Sequence, residues 1–515
     1  MKASFDLIGQ PWIPCVRNDG TAVGLGLRDT LVDAHHLREI AGESPLVTLS
    51  LYRLLLAILT RVFAPGDLSH WHQLQEAGRW DPAALDRYFQ MWRGRFDLFD
   101  SERPFYQAKD ARVQSKSVAS MIAEIASGAN ATLFDHHTKQ GGLTLSPAAA
   151  ARAVVAAQSC SLAGLSGLPE KFTDSSCARG VIFFVEGDSL FETLLLNLVP
   201  YTPEAPVPNA PDDAPAWEMD APFFLEPRRC LGYLDYLTWQ SRRVLVQPEE
   251  GEVGIAVKNM TWAPGLRLGA DLTDPMKRYR IDPKRGPMCL RFNEERALWR
   301  DSAALFQLSH AAQGIPPAAL QHVANLVDTG YLSAERTLGC LALGMANDQA
   351  KVEFCRAERL PLPVQYVRKD EQALGQLTHA LEWGEDVGRT LRHAAFRMAH
   401  QWLKGQKGDD EGGGIRRESG KDPRDTLIEH WGVERHYWAD LEVGFRRLLL
   451  ALPDDAIDAP LVWQRLLRRT AWASFEKAEA TLGGSPRALR ASVKAREQLA
   501  AGLGAALPKL DTTDM

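Results

Sequence analysis

Three things are scarce in this chain: paired cysteines, uninterrupted apolar runs and net positive charge. Seven cysteines (Cys15, Cys160, Cys177, Cys230, Cys289, Cys340 and Cys355) are scattered over 515 residues with no C-x-x-C pair. That argues against a disulfide framework and a zinc ribbon, and it fits a reducing compartment. The opening MKASFDLIGQPWIPC lacks the long apolar segment of a secretion signal, so a cytoplasmic location is expected. The most apolar run, Ser44–Phe63, is interrupted by Arg53 and Arg61. With Ser44 placed to cap and Pro45 suited to a first turn, it reads as a buried helix rather than a membrane span. A net charge of −6 gives no global pull on nucleic acid, so any polyanion site must be a local patch.

Catalytic signatures are missing too. GLGLRD near Gly24 lacks the third glycine of a dinucleotide fingerprint, and GLSGLPEK (Gly164–Lys171) is too short for a Walker A loop and lacks its Lys-Ser/Thr ending. Asp135, His136 and His137 are the sharpest candidate ligands, in the manner of a D-H-H phosphoesterase. Such sites need further aspartates on separate strand ends, and the surrounding chain has neither D-x-D nor H-x-x-x-D. Adjacent residues of an extended segment also point to opposite sides, away from a single ion. His35 and His36 in DAHH, and His70 and His72 in HWH, read as helix-surface or loop histidines. No active site, cofactor or metal is expected, with a metal-dependent nuclease on Asp135, His136 and His137 as the alternative.

What is present is the composition of a soluble globular protein, 45% hydrophobic and 24% charged, long enough for two to four domains. Residues 1–370 mix signals: a strand in SFDLIG, a helix from Ser44, a helical Asp81–Phe99, a strand in GVIFFVEG (Gly180–Gly187), a helix in SLFETLLLNLV and a proline-rich loop, Pro200–Trp217. The class expected is α+β, a large mixed N-terminal domain with long loops. Residues 371–515 carry four stretches of helical period, Glu371–Lys404, Arg424–Leu452, Pro460–Leu482 and Pro486–Leu507, predicting a C-terminal four-helix bundle. Leu461, Leu466, Ala471 and Phe475 mark the expected buried stripe of the third. From Leu461 to Lys509 there are nine Lys/Arg against three acids. Arg465, Arg468, Arg469, Arg487, Arg490 and Lys494 either face a DNA backbone or form a solvated helix face.

Two loops stand out. In SLAGLSG (Ser161–Gly167), Gly164, Leu165, Ser166 and Gly167 either let a ligand approach the main chain or make an ordinary turn. LGMANDQAKV (Leu343–Val352) reads as a hairpin with Asn347, Asp348, Gln349 and Ala350 at its tip. Gln349 there is a probe into a groove or a plain polar turn residue.

Taken in order, LIGQPWIP, ERPFYQ (Glu102–Gln107), SGANATLF, the glycine loop, LGMANDQA and GVERHYWADLE (Gly432–Glu442) resemble the CasA family, the large subunits of type I-E CRISPR Cascade complexes. The resemblance spans almost the whole chain. It implies a non-catalytic, DNA-binding role in antiviral defence: recognition of a PAM duplex, the start of R-loop formation, and presentation of opened DNA to a helicase–nuclease. Implied partners are CRISPR RNA, PAM-bearing double-stranded DNA, the handle-binding subunit, the small-subunit dimer and the backbone subunits, with no membrane. By position, Phe134, Asp135 and His136 match the loop that docks at the CRISPR RNA 5′ handle. Gly164 to Gly167 match the minor-groove loop, and Asp348 to Ala350 the wedge. The family's minor-groove lysine has no clear counterpart, Lys258 and Arg267 both being possible. Asp348 stands where relatives have asparagine, and the paired cysteines some relatives use for zinc are missing. A helical adaptor that never meets DNA is the other alternative.

Overall fold

The computed structural model describes residues 3–125, 142–201, 207, 210–220, 228–252, 254–269, 272–308, 314–368, 372–404, 422–454 and 458–508. The chain divides into two compact units, one of Met1–Leu298 with Gln307–Lys369, the other of Trp299–Phe306 with Asp370–Met515. A division by sequence order at residue 370 leaves Trp299–Phe306 in the N-terminal part.

The first unit is organised around the helix Pro45–Phe63. Ser44 Oγ accepts from the Val47 amide at 3.3 Å, and Pro45 sits in the first turn. Every residue from Leu46 to Thr60 is buried, which is why apolar residues occupy every side of the helix despite Arg53, and why it is long and apolar enough to cross a membrane by length and composition alone. Among the described residues this unit holds four three-stranded antiparallel sheets. One contains the strands Thr337–Asp348 and Lys351–Pro363, with Ile182–Glu186 on the other side of the first. The central strand is covered on both faces, so its LALGMA segment is continuously apolar. Ile182 pairs with Leu343, the last contact to the third strand. Beyond it the hairpin runs on as two strands to an exposed tip at Asp348–Ala350.

Two local expectations are corrected. SFDLIG is not a strand: Asp6 makes an isolated bridge to Asp97 and residues 7–9 turn. The buried Leu7 carbonyl accepts from the Trp12 indole at 2.9 Å, and pairing begins at Ile13, beyond Pro11. The apolar–polar alternation there marks a turn that buries one leucine. The helix placed at Asp81–Phe99 spans Pro82–Trp92 and tightens into a 3₁₀ turn over Arg93–Arg95, where Gly94 withdraws helix propensity.

On the helix Ala318–Asp328, His322 is 2% exposed and meets the Trp71 ring edge-on at 5.3 Å. Burial pushes its pKa down to about 4. The unfolded chain therefore binds a proton near pH 6.5 that the folded chain refuses, and stability falls as pH drops through that window. Between pH 7 and 5 the loss from this group is about 2 kcal/mol. His322→Leu is expected to flatten the fall by that amount in denaturant melts, and an unchanged slope rejects the assignment.

The second unit is helical: Gln372–Lys404, Pro423–Trp431, Val433–Ala451, Ala459–Ala480 and Pro486–Ala506. The stretch read as one helix from Arg424 is two, broken where Gly432 adopts φ 61°. Side-chain donors tie the helices together: Tyr437 Oη donates to the Gly384 carbonyl at 2.9 Å and the Trp463 indole to that of Ala380 at 2.8 Å. The buried face of Ala459–Ala480 carries Trp463, Leu467, Thr470, Ala471, Ser474, Phe475 and Ala478, while Leu461 and Leu466 are half-buried. Steps of five residues rotate about 140° off a shared face, so Leu461, Leu466 and Ala471 do not line one stripe; steps of three and four do.

Candidate nucleic-acid interface

The glycine loop is the end of a short two-stranded excursion. Cys177 N donates to Ser159 O at 2.8 Å and Ser175 N to Ser161 O at 2.9 Å, and Gly164 and Phe172 exchange bonds of 3.2 and 3.0 Å. Past that pair the chain turns, with Ser166 Oγ accepting from the Leu168 amide at 3.0 Å and Gly167 at φ 79°. A β-carbon built on Gly164 meets no atom within 4 Å. Leu165 beside it is 85% exposed, the most exposed large apolar side chain among the described residues.

Beneath this loop lies Arg242, which sequence reasoning missed. Its guanidinium stands 5.0 Å from the Phe172 ring centroid and 5.7 Å from that of Trp262. It donates to the carbonyls of Ser241 and Leu162, both at 2.8 Å. Burial pushes its pKa down to about 10, the charge of Asp174 opposing, so it stays charged at neutral pH. A cation held by aromatic faces and carbonyls is a rigid floor. In sequence it is one arginine at the head of an alternating strand, with no signal of its own.

At the hairpin tip Asp348 pairs with Lys351, leaving Gln349 and Ala350 as the turn, with a bulge at Ala346/Asn347. Gln349 has φ 49°, a left-handed conformation that costs a non-glycine residue about 1 kcal/mol. Two donors hold its carbonyl: Asn347 Nδ2 at 2.9 Å and Arg179 Nη2 at 3.0 Å. The amide side chain of Gln349 is left exposed. The two loops are joined through one ion pair. Arg179 Nε meets Asp174 Oδ2 at 2.7 Å, and Asp174 Oδ1 accepts from the Ala163 amide at 2.7 Å.

Phe134, Asp135, His136 and His137 lie outside the described residues. Lys258 pairs with Glu249 at 2.6 Å, a hydrogen bond that raises its pKa and occupies its charge. Arg267 is exposed, two residues past Gly265, whose amide donates to Ser241 O beside Arg242. Lys258 is roughly 20 Å further along its strand at about 3.3 Å per residue, so Arg267 is the cation nearer the base of the glycine loop. Among the described residues no three His, Cys, Asp or Glu group as metal ligands. His35 and His36 occupy a 3₁₀ turn, and His72 stacks on Tyr331 at 4.2 Å.

Of the basic residues in the second unit, Arg487 donates to the Trp402 carbonyl and lies 4.1 Å from its ring centroid, so it caps a helix. Arg468 is half-buried, and Arg496 and Lys477 pair with Glu479 and Asp440. Arg490 and Lys494 are exposed on the last helix. Arg465 and Arg469 face a groove of about 680 Å³ together with Arg447, which the sequence reading omitted, above Val443, Val462 and Leu466.

A family profile described as CRISPR-associated protein Cse1 matches residues 6–474. A curated CRISPR-associated protein CasA/Cse1 from Thermus thermophilus is 34% identical over 519 residues, covering 97% of each chain. A crystal structure of Thermus thermophilus CasA is similar at TM-score 0.82 and 29% identity, over 98% of this chain and 100% of that one. A chain of a structure titled CRISPR RNA-guided surveillance complex shares the fold, with TM-score 0.75, 21% identity and coverage of 96% and 99%.

Proposed function

This chain belongs to the CRISPR-associated Cse1 family, and from that premise we propose that it is the large, non-catalytic subunit of a type I-E CRISPR RNA-guided surveillance complex. In this reading the Gly164–Gly167 loop enters the minor groove of a PAM duplex, and the Asn347–Ala350 tip parts the first target base pairs. Opened DNA then passes to a helicase–nuclease. Phe134, Asp135 and His136 dock the subunit beside the CRISPR RNA handle. The second unit acts as a bundle of its four longer helices, with Pro423–Trp431 as a short fifth, and its Arg447, Arg465 and Arg469 follow a DNA backbone, each phosphate contact adding salt-dependent affinity.

The observation that carries the proposal is the pairing of two exposed backbone projections on one support, one with open space over a glycine and one ending in a strained glutamine. Each suits its task. The minor groove presents a degenerate pattern, so a loop that reads it by close approach accepts several sequences. A wedge that unstacks a step costs a few kcal/mol, which guide–target pairing and backbone contacts offset.

Gln349→Ala tests it. In the assembled complex, strand opening followed by 2-aminopurine fluorescence in the first target pairs is expected to fall about tenfold, the worth of roughly one charge-free hydrogen bond. Loading of CRISPR RNA should not change. Equal loss of both rejects the wedge.

A further inference from the structure

We propose that Arg179 and Asp174 are positioning residues that hold the hairpin tip at a fixed offset from the glycine loop, so that gripping the duplex and parting it are one mechanical event. The inference rests on the reading of those loops given above and adds what ties them together.

The chain of contacts is short and continuous. The Gln349 carbonyl accepts from Arg179 Nη2 at 3.0 Å, Arg179 Nε meets Asp174 Oδ2 at 2.7 Å, and Asp174 Oδ1 accepts from the Ala163 amide at 2.7 Å. Each end lands on main chain beside a functional loop, so the pair sets backbone position rather than side-chain chemistry. The support beneath it is stiff. Lys277 Nζ donates to the Ser176 carbonyl at 2.7 Å, and Gly180 has φ 87° with room for no β-carbon, since one would lie 2.8 Å from Cys289 Sγ.

The pair itself is partly exposed, with side-chain exposures of 27% and 32%. Ion pairs in such surroundings contribute little to stability. Its position is therefore the more informative property. Gln349 is held in the left-handed region by two donors on one carbonyl, and Arg179 is the one that comes from outside the hairpin. Without it the Gln349 carbonyl keeps the Asn347 donor, from within the hairpin, and loses its link to the loop at Ala163.

The test uses the assembled complex and two targets with the same PAM, one fully paired and one with the first base pairs already mismatched open. Arg179→Ala is expected to weaken binding of the paired target about tenfold, in line with loss of one charge-assisted bond. Binding of the pre-opened target should stay within about twofold, because no parting is required of it. Asp174→Asn should behave likewise, and Arg179→Lys, whose ammonium lacks the fork that reaches both partners, should not restore the paired target fully. Amide exchange at Ala163 and Lys351 should rise together in Arg179→Ala. Equal weakening on both targets, or no weakening on either, overturns the proposal. Gly164→Val separates the two levels: if it weakens both targets while Arg179→Ala leaves them alike, the groove reading survives and the strut fails. If Gly164→Val changes neither target, the groove reading itself fails.

Discussion

Gly164→Val is expected to weaken binding of PAM-bearing duplex by the assembled complex about 100-fold, near the upper end of what one specific contact position is worth on DNA. The free chain should melt where the native chain does. The second half of that expectation makes the first interpretable. Gly164 is not in the left-handed region, and a β-carbon there meets nothing within 4 Å. Its backbone is bridged to Phe172 in antiparallel fashion, an environment that suits a branched side chain. The protein therefore has room for valine, and what lacks room is a duplex pressed against the loop. Gly167 offers a contrast, because at φ 79° any side chain strains the backbone whether or not DNA is present. A quantitative binding titration at fixed salt decides the matter. Unchanged affinity for Gly164→Val removes this loop from the groove.

The difference between these two glycines was not legible in sequence, where both simply punctuate SLAGLSG. What could be read were features set by local chemistry. Ser44 and Pro45 announced the start of the core helix, and the glycines around VIFFVE bounded the strand Ile182–Glu186. Asn347 and Asp348 marked the tip of the long hairpin, though it is Gln349 that takes the positive φ. Features set by distant partners were silent. Arg242 becomes a floor only because Phe172 and Trp262 close over it, and Arg179 becomes a link only because Asp174 and Gln349 converge on it. The charge count on the last helices was blind to partners for the same reason: Arg487 is one of the nine, and its guanidinium donates to the Trp402 carbonyl. It also omitted Arg447, which reaches the same groove as Arg465 and Arg469 from another helix. Periodicity misled when steps of five were allowed to stand for a helical face, as with Leu461 and Leu466.

The largest stability effect is expected at Asp274→Ala, a loss of about 3–5 kcal/mol. Arg53 Nη1 meets Asp274 Oδ2 at 3.0 Å, both side chains are 1% exposed, and the guanidinium lies 5.3 Å from the Tyr236 ring centroid. Burial works against charge on both groups, yet the Arg53 and Lys277 cations outweigh it and hold the Asp274 carboxyl below its ordinary pKa. Its contribution is therefore complete above the ordinary carboxylate pKa and is lost as pH falls from there through the lower folded value, the same direction as for His322 but in a more acidic window. Truncating Asp274 leaves an arginine in the core with little beyond the Met276 sulfur, 3.5 Å away, and the tyrosine face. Replacing both partners together, as Arg53→Met with Asp274→Leu, should recover much of the loss, because no stranded charge remains. The consequence reaches the interface. Asp274 accepts from the Met276 amide at 2.9 Å, the Met276 carbonyl accepts from Phe183 at 2.9 Å, and Lys277 holds Ser176. This buried pair thus secures the segment from which Asp174 and Arg179 project. Denaturant titration of the single and double variants is the check: an Asp274→Ala midpoint equal to that of the native chain would mean the pair contributes nothing to holding that segment.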